Sequence, residues 1–430
     1  MRVLVIGGGG REHTIAWKLA QSPRLRRLYC APGNAGTAGL AENVPIDIQD
    51  VRAVADWADE NRIDLTVVGP EAPLAAGMVD VFRSRGLMVF GPTRDAARIE
   101  SSKAWCKSLL QRHGIPTALS ETFTSFEDAA AYVASHELPV VIKADGLAAG
   151  KGVVVAQTHQ EAIGALRQFM LEGTLGDAGR IVVVEECLRG PEVSVLAFAD
   201  GTDLVRMVPA CDYKRVYDND LGPNTGGMGA YSPPGFVTDT LLDEIEETVL
   251  RPTARAMAAE GSPYQGVLYA GLMLTEKGPK VLEFNCRFGD PETQVILPRL
   301  NSDLLSIMLL VVRGRLREAE VTWGDQSACG VVLASGGYPG DYARGHEIRG
   351  LDQVSPDAMV FHAGTQMRDG RIVTSGGRVL AIVALGKDIA EARSRVYREV
   401  DKVSFEGCHY RTDIALREVG DAASRSGNGQ

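Results

Sequence analysis

In "VLEFNCRFGDPETQ", residues 281–294, Glu283, Asn285 and Arg287 recur at every second position where an apolar run ends. Residues two apart on a strand share a face, so these three are expected to project together. A charged row beside buried neighbours must be solvated, paired or coordinating something. Glu and Asn oxygens are hard ligands suited to Mg²⁺, which takes few protein ligands and completes its octahedron with phosphate and water. The guanidinium in the same row suits bidentate binding of a carboxylate. Taken alone, the row fits a buried ion pair equally well.

Three further stretches carry chemistry. In "VIKADGLAAGKGVVV", Lys143 closes an apolar strand and a Gly/Ala-rich turn runs through Lys151 into another strand. The pattern is not a P-loop, because no G-x-x-x-x-G-K-[ST] is present and no helix follows. A glycine-rich hairpin bearing a lysine suits a lid over phosphates, its backbone N–H groups and Lys143 meeting the oxygens. In "VVVEECLRGPEVSV", Glu185 and Glu192 place acceptors at a sheet edge, suited to an adenine amino group and to ribose hydroxyls. "GGGGREH" sets glycines between a strand and a helix, where bare N–H groups attract an anion. It is a poor dinucleotide fingerprint: Gly7 and Gly9 fit, but the third glycine position is Glu12, and the second strand ends "LYCAPG" without an acid.

These residues need a scaffold, and the hydrophobic patterning supplies one. Residues 1 to about 100 alternate apolar runs ("RVLVIG", "LRRLYCAPG", "DLTVVGP", "LMVFGP") with helix-periodic stretches, which predicts a parallel sheet covered on both faces. A small β-rich unit with a helix near 159–172 follows, then a Gly/Pro-rich loop, "NDLGPNTGGMGAYSPPG", and a long helix over 238–260. The last hundred residues alternate strands, with a helix from Asp388. The nine-residue run "LLSIMLLVV" is too short to span a bilayer and is expected to be a buried helix.

The bulk composition excludes several classes. Lys and Arg number 45 against 55 Asp and Glu, a net charge of −10 without a basic run, which argues against nucleic acid or an anionic membrane as partner. Seven scattered Cys without a C-x-x-C pair argue against a disulfide framework or a zinc site and fit a reducing cytoplasm. The opening "MRVLVIGGGG" lacks the apolar length of a signal peptide.

The order Lys103, Lys143, "GLAAGKG", Glu185, Glu192, Glu283, Asn285 resembles the ATP-grasp ligases. The words "GGREH", "PGNAGT", "VGPEAPL", "GPNTGGMGAYSP", "EFNCRFGDPETQ" and "FHAGT" resemble one family of them, the phosphoribosylamine–glycine ligases (glycinamide ribonucleotide synthetases), over residues 1 to about 415. The resemblance implies an α/β protein: an N-terminal Rossmann-like parallel-sheet domain (1–102), an ATP-grasp domain (103–315, lid about 118–192) and a C-terminal α+β domain (325–425). It implies ligation of glycine to 5-phosphoribosylamine, with ATP as co-substrate and Mg²⁺ or Mn²⁺ on Glu283 and Asn285, in a cytoplasmic monomer acting on small molecules only. ATP contacts are then expected from Lys103, Lys143, Gly150, Lys151, Gly152, Glu185, Leu188 and Glu192. The other substrates fall to Gly9, Gly10, Arg11, Asn34, Glu71, Asp212, Lys214 and Arg378. Arg287 is expected to orient the glycine carboxylate, and Asp290 to meet an amino group. Two departures stand out. Gly8 replaces an expected Asn or Ser, and "LYAGLML" lacks the second metal-binding Glu common on that strand.

Other readings share parts of this set. Another ATP-grasp carboxylate–amine ligase would keep the Lys, Glu and Asn positions but not "PGNAG" or "GPNTGGMG". A dehydrogenase would need the missing glycine and acid. A nucleotide sensor would need neither a lid nor a second substrate domain.

Overall fold

The computed structural model describes residues 1–148 and 152–420. Its first unit is a five-stranded parallel sheet in the order Glu42–Asn43, Arg27–Pro32, Arg2–Gly7, Leu65–Val68, Val89–Phe90. Val3, Leu4, Val5 and Ile6 in the central strand are fully buried, as expected of a strand covered on both faces. The strand order reverses direction beside this strand, which opens a crevice at the carboxyl ends of the strands. The turns after Gly7, Pro32 and Val68 all meet there.

Local chemistry shapes the first of those turns. The helix Gly10–Leu19 begins with Gly9 N–H donating to Glu12 Oε2 (2.8 Å), a cap in which the acid answers the helix N-terminus. A Cβ at Gly7, where φ is +120°, would stand 2.5 Å from Glu12 Cγ, and one at Gly69 only 2.2 Å from Glu12 Oε1. Glu12 therefore fills the space that a dinucleotide-binding turn leaves open. A Cβ at Gly8 would approach Gly33 O to 2.5 Å, so the glycine found there matches this close crossing of two turns.

Three larger antiparallel sheets follow, beside the two-stranded ribbons Arg215–Tyr217 with Leu221–Asn224 and Thr365–Arg368 with Arg371–Thr374. Ser120–Phe123, Val182–Glu186, Val140–Ala144 and Val153–Ala156 form one, covered by helices Phe126–Ala134 and His159–Met170 around their own small core. Leu204–Arg206, Glu192–Asp200, Gln265–Thr275 and Gly278–Asn285 form the second. The third runs Cys211–Asp212, Gly229–Ser232, Ser327–Ala334, Arg378–Gly386, Ala358–His362, so it recruits two strands from well ahead of residue 315. The stretch expected as one helix over 238–260 is Asp239–Ile245 and Arg251–Ala259 joined by a π-turn at Glu246–Leu250. Pro252 accounts for the irregularity, since it lacks the N–H that the preceding turn would use. Leu304–Val312 is a buried helix capped by Asp303. No helix among the described residues is long and apolar enough to cross a membrane.

The last sheet docks on the first unit through two histidines. His362 N–H donates to His13 Nδ1 (2.8 Å), with the rings 5.6 Å apart and Thr365 Oγ1 at 3.1 Å from His362 Nδ1. Burial pushes His13 down to about 3, the His362 ring adding to the effect, and burial pushes His362 down to about 4. Protonating His13 Nδ1 would abolish its acceptor lone pair. The folded chain therefore leaves these rings neutral where the unfolded chain, with histidines near pH 6.5, takes up protons. The stabilisation is complete above pH 6.5 and is lost as pH falls toward 4, by roughly 1.4 kcal/mol per pH unit for each ring. Melting temperature should fall between pH 7 and pH 5, and His13→Gln, which keeps an acceptor but cannot titrate, should flatten that slope. An unchanged slope in His13→Gln would assign the acid sensitivity elsewhere.

Candidate active site

A cleft of 590 Å³ opens where the parallel sheet, both central antiparallel sheets and the last sheet meet. Glu283, Asn285 and Arg287 all line it, together with Lys103, Lys143, Glu185, Gly152, Asp212, Lys214, Asp290 and Arg378. The register explains the row: Gly278–Asn285 pairs with Gln265–Thr275, a bulge falls beside Leu282, and Glu283 and Asn285 then lie opposite Gly271 and Tyr269. Neither side chain has a hydrogen-bond or ion-pair partner among the described residues. Two oxygen donors left free at a strand end form a donor set that suits a hard divalent cation. Lys103, lowered by burial and raised by Glu283, faces them, and its Nζ donates to Gly146 O at 3.1 Å.

Arg287 is held more tightly than the sequence suggests. Its Nη2 lies 3.0 Å from Glu100 Oε1 and its Nε 3.2 Å from Glu71 Oε2. Glu100 is itself fixed by the Cys286 N–H at 2.7 Å. Arg11 reaches Phe288 O at 3.2 Å and stands 3.9 Å from Glu71. Burial acts to raise the Glu71 carboxyl, but Arg287 and Arg11 together bring it down to about 2. The guanidinium expected to receive a substrate carboxylate thus already has two protein carboxylates on its flank.

Deeper in, Glu185 Oε2 receives both Lys143 Nζ (2.9 Å) and Lys107 Nζ (3.2 Å), while Lys143 also donates to Leu282 O (2.9 Å) and Lys107 to Thr117 Oγ1 (2.7 Å). Glu185 lines the cleft, and its Oε1 is buried with no hydrogen-bond partner among the described residues. Lys143 uses two of its three donors in this way. Glu192, expected at the ribose hydroxyls, meets Lys214 Nζ through Oε2 at 2.8 Å; Asp212 meets the same nitrogen at 3.0 Å. Leu188 is half-buried just beyond the Val182–Glu186 strand. Gly150 and Lys151 lie outside the described residues.

A second cavity of 400 Å³ adjoins the first and shares Asp290, Tyr338 and Arg378 with it. Gly8 and Gly9 line one side, and Gly364, Thr365 and Ser375 line the other. Gly10, at the helix start, stands against Gln294 instead. Arg378 Nη1 spans the mouth, donating to Gly226 O (2.7 Å) and Asp290 O (2.9 Å) and pairing with Asp290 Oδ1 at 3.2 Å. Asn34 also lines this cavity, but its amide nitrogen bonds Gly8 O and His362 O, and its Oδ1 takes the N–H groups of Gly36 and Thr37. Asn34 therefore braces the turn, and what it leaves for a ligand is the turn's backbone.

Sequence reasoning passed over Lys107, Glu100, Tyr269 and Glu292, all of which line the cleft. Only Lys107 carried a signal: it lies four residues after Lys103, one helical turn on the same face.

Models of the phosphoribosylglycinamide synthetase N domain, ATP-grasp (A) domain and C domain match residues 1–100, 101–293 and 328–417. A phosphoribosylamine–glycine ligase from Pseudomonas aeruginosa is 52% identical over 423 residues, 97% of this chain and 98% of that one. One from Caldanaerobacter subterraneus is 51% identical over 415 residues, 96% of this chain and 99% of the other. The crystal structure of the Thermotoga maritima ligase superposes with a TM-score of 0.85 at 35% identity, covering 96% of this chain and all of that one. A biotin carboxylase domain from Hydrogenobacter thermophilus, in complex with MgADP and bicarbonate, shares the fold (TM-score 0.74) at 16% identity, covering 95% and 91%.

Proposed function

The chain belongs to the phosphoribosylglycinamide synthetase family, and from that premise we propose that its cleft joins glycine to 5-phosphoribosylamine at the expense of ATP. The products are glycinamide ribonucleotide, ADP and phosphate, in purine biosynthesis. The observation that carries the assignment of roles is the pair of oxygen donors, Glu283 and Asn285, without partners among the described residues, in a cleft whose other carboxylates are mostly ion-paired.

A carboxylate is a poor acyl donor because oxide is a poor leaving group, so the route runs through glycyl phosphate. Lys103 and Lys143 hold phosphate oxygens with the donors that their protein partners leave free. Glu283 and Asn285 would hold a divalent cation, Mg²⁺ or Mn²⁺, which when bound neutralises charge on the phosphoryl group. The outer edge of the Arg287 guanidinium, its flank fixed by Glu100 and Glu71, orients the glycine carboxylate. Glu185 Oε1 suits the adenine amino group. The glycine turn, Thr365, Ser375 and Arg378 suit the sugar phosphate, which would place the amine at the shared mouth of the two cavities near Asp290. We read 1–102, 103–315 and 325–425 as the corresponding working units. A cytosolic monomer completes this reading, supported by seven unpaired thiols.

The chemical path has a direct test. If the glycine carboxylate attacks the γ-phosphorus, one of its oxygens becomes the bridge of glycyl phosphate and departs with phosphate when the amine attacks. Glycine labelled with ¹⁸O in its carboxylate should give phosphate carrying one ¹⁸O per turnover, and unlabelled ADP. Label in AMP would indicate an adenylate instead. Unlabelled phosphate alongside product would sink the route.

A further inference from the structure

Seven carboxylates line the main cleft: Glu71, Glu100, Glu185, Asp212, Glu283, Asp290 and Glu292. Five are ion-paired, to Arg287, Lys143, Lys107, Lys214 or Arg378. Glu283 has no ion-pair partner among the described residues but faces Lys103. Glu292 differs from all of these. It begins the short helix Glu292–Ile296, is 3% exposed, and has no cation within ion-pairing distance among the described residues. Its partners are neutral hydroxyls. Tyr269 Oη donates to Glu292 Oε1 at 2.5 Å, Ser194 Oγ lies 3.5 Å from the same oxygen, and Tyr269 and Ser194 share a further hydrogen bond of 2.8 Å. These residues come from two neighbouring strands of one sheet, Gln265–Thr275 and Glu192–Asp200, and both address Glu292 Oε1.

We infer that Glu292 accepts the proton that the attacking amine must lose as it displaces phosphate from the acyl phosphate. The inference rests on the ligase reading above. In that step the amine nitrogen bonds to the glycyl carbonyl carbon, the carbon–oxygen bond to phosphate breaks, and the electron pair leaves with phosphate. The nitrogen, cationic after attack, passes one proton to Glu292 and becomes the neutral amide. An acceptor for this task needs an affinity for protons near that of the surrounding solution. Glu71 and Asp290 are unsuited, because Arg287 and Arg378 hold them below the usual carboxylate range although burial opposes it; burial raises Glu100 despite Arg287, but its two oxygens are taken by Arg287 and by the Cys286 N–H. Burial first, and then the negative charge of Asp212, push Glu292 up toward neutrality, while the Tyr269 hydroxyl and Lys214 act in the opposite direction. Arg287 is a further charged neighbour. Position agrees as well. Glu292 follows Asp290 by two residues, and Asp290 stands at the mouth shared by the two cavities, where the sugar amine would enter the main cleft.

The test compares kcat against pH for the full-length chain at saturating ATP, glycine and 5-phosphoribosylamine. A carboxyl must be ionised to accept a proton, so wild-type kcat should fall as pH drops through the Glu292 titration. Glu292→Gln should lower kcat by about 10²-fold or more and remove that acid limb. Tyr269→Phe keeps the carboxyl but deletes the hydroxyl that favours its ionised form, so its limb should move to higher pH. A Glu292→Gln enzyme within threefold of wild type, with the limb retained, would overturn the assignment. So would a Tyr269→Phe limb that stays in place, even if Glu292→Gln fails to fold. A wild-type chain that makes no amide from these substrates sinks the ligase reading itself, and the assignment with it.

Discussion

Glu283→Gln should lower turnover by about 10²- to 10³-fold, the loss seen when one preorganised electrostatic group is removed from a transition state, and should leave the melting temperature where it was. Both halves of this expectation come from the same fact. The Glu283 carboxylate has no hydrogen-bond or ion-pair partner among the described residues, so the folded protein loses no such bond when the charge goes, only the longer-range field that favours the Lys103 ammonium. Its job lies with what enters the cleft. Gln keeps the shape and one oxygen donor, which confines the change to charge. Calorimetric titration of Mg²⁺ in the presence of nucleotide should show weaker binding by the variant, a readout independent of turnover. Near-wild-type turnover at Mg²⁺ concentrations that saturate the wild type would remove Glu283 from the donor set.

The buried triad beside it should behave in the opposite way. Glu185→Leu should destabilise the apo protein by about 3–5 kcal/mol, the range for leaving a buried charge without its partner. Here two cations are orphaned at once. Lys107 is 3% exposed and Lys143 5%, and both nitrogens converge on a single Glu185 oxygen. Burial already lowers the Lys107 ammonium, and Lys143 adds to that lowering, with Glu185 as the opposing influence. Without Glu185, one lysine must give up its proton or draw in water. The repulsion makes a sharper claim possible: Lys107→Met should recover part of the loss when added to Glu185→Leu, although alone it destabilises. Denaturant melts of the two single variants and the double variant close the cycle. Additive losses would mean that the two lysines do not compete for Glu185.

Much of the architecture was legible in the chain because it is written in local periodicity. Four apolar runs alternating with helical stretches specify a parallel sheet, and that sheet is present with Arg2–Gly7 at its centre. The two-residue spacing of Glu283, Asn285 and Arg287 brought all three to one cleft, because side-chain alternation along a strand is a property of the backbone. Glycine positions were legible for a similar reason. The run before Glu12 announces a tight strand-to-helix turn whatever else the chain does.

What only the tertiary structure decided is which charges face one another. Glu100 and Glu71 reach Arg287 across 187 and 216 positions of sequence, and no local pattern marks either as its partner. Lys107 and Lys143 share Glu185 because a helix, two strands of one sheet and a carbonyl of another sheet converge. Asn34 and Glu192 were readable as polar residues in the right turns. Whether their polar atoms stay free for a ligand depended on Gly8 and His362 in one case and on Lys214 in the other. Glu292 shows the division most clearly. Its position in "GDPETQ" reveals a carboxylate and nothing of its proton affinity, since that depends on burial and on Asp212, eighty residues earlier. Periodicity acts over a few residues, so the sequence by itself determined the elements and the faces they present. Desolvation and charge pairing act through space, so the chemistry of each side chain was settled only when the sheets closed around the cleft.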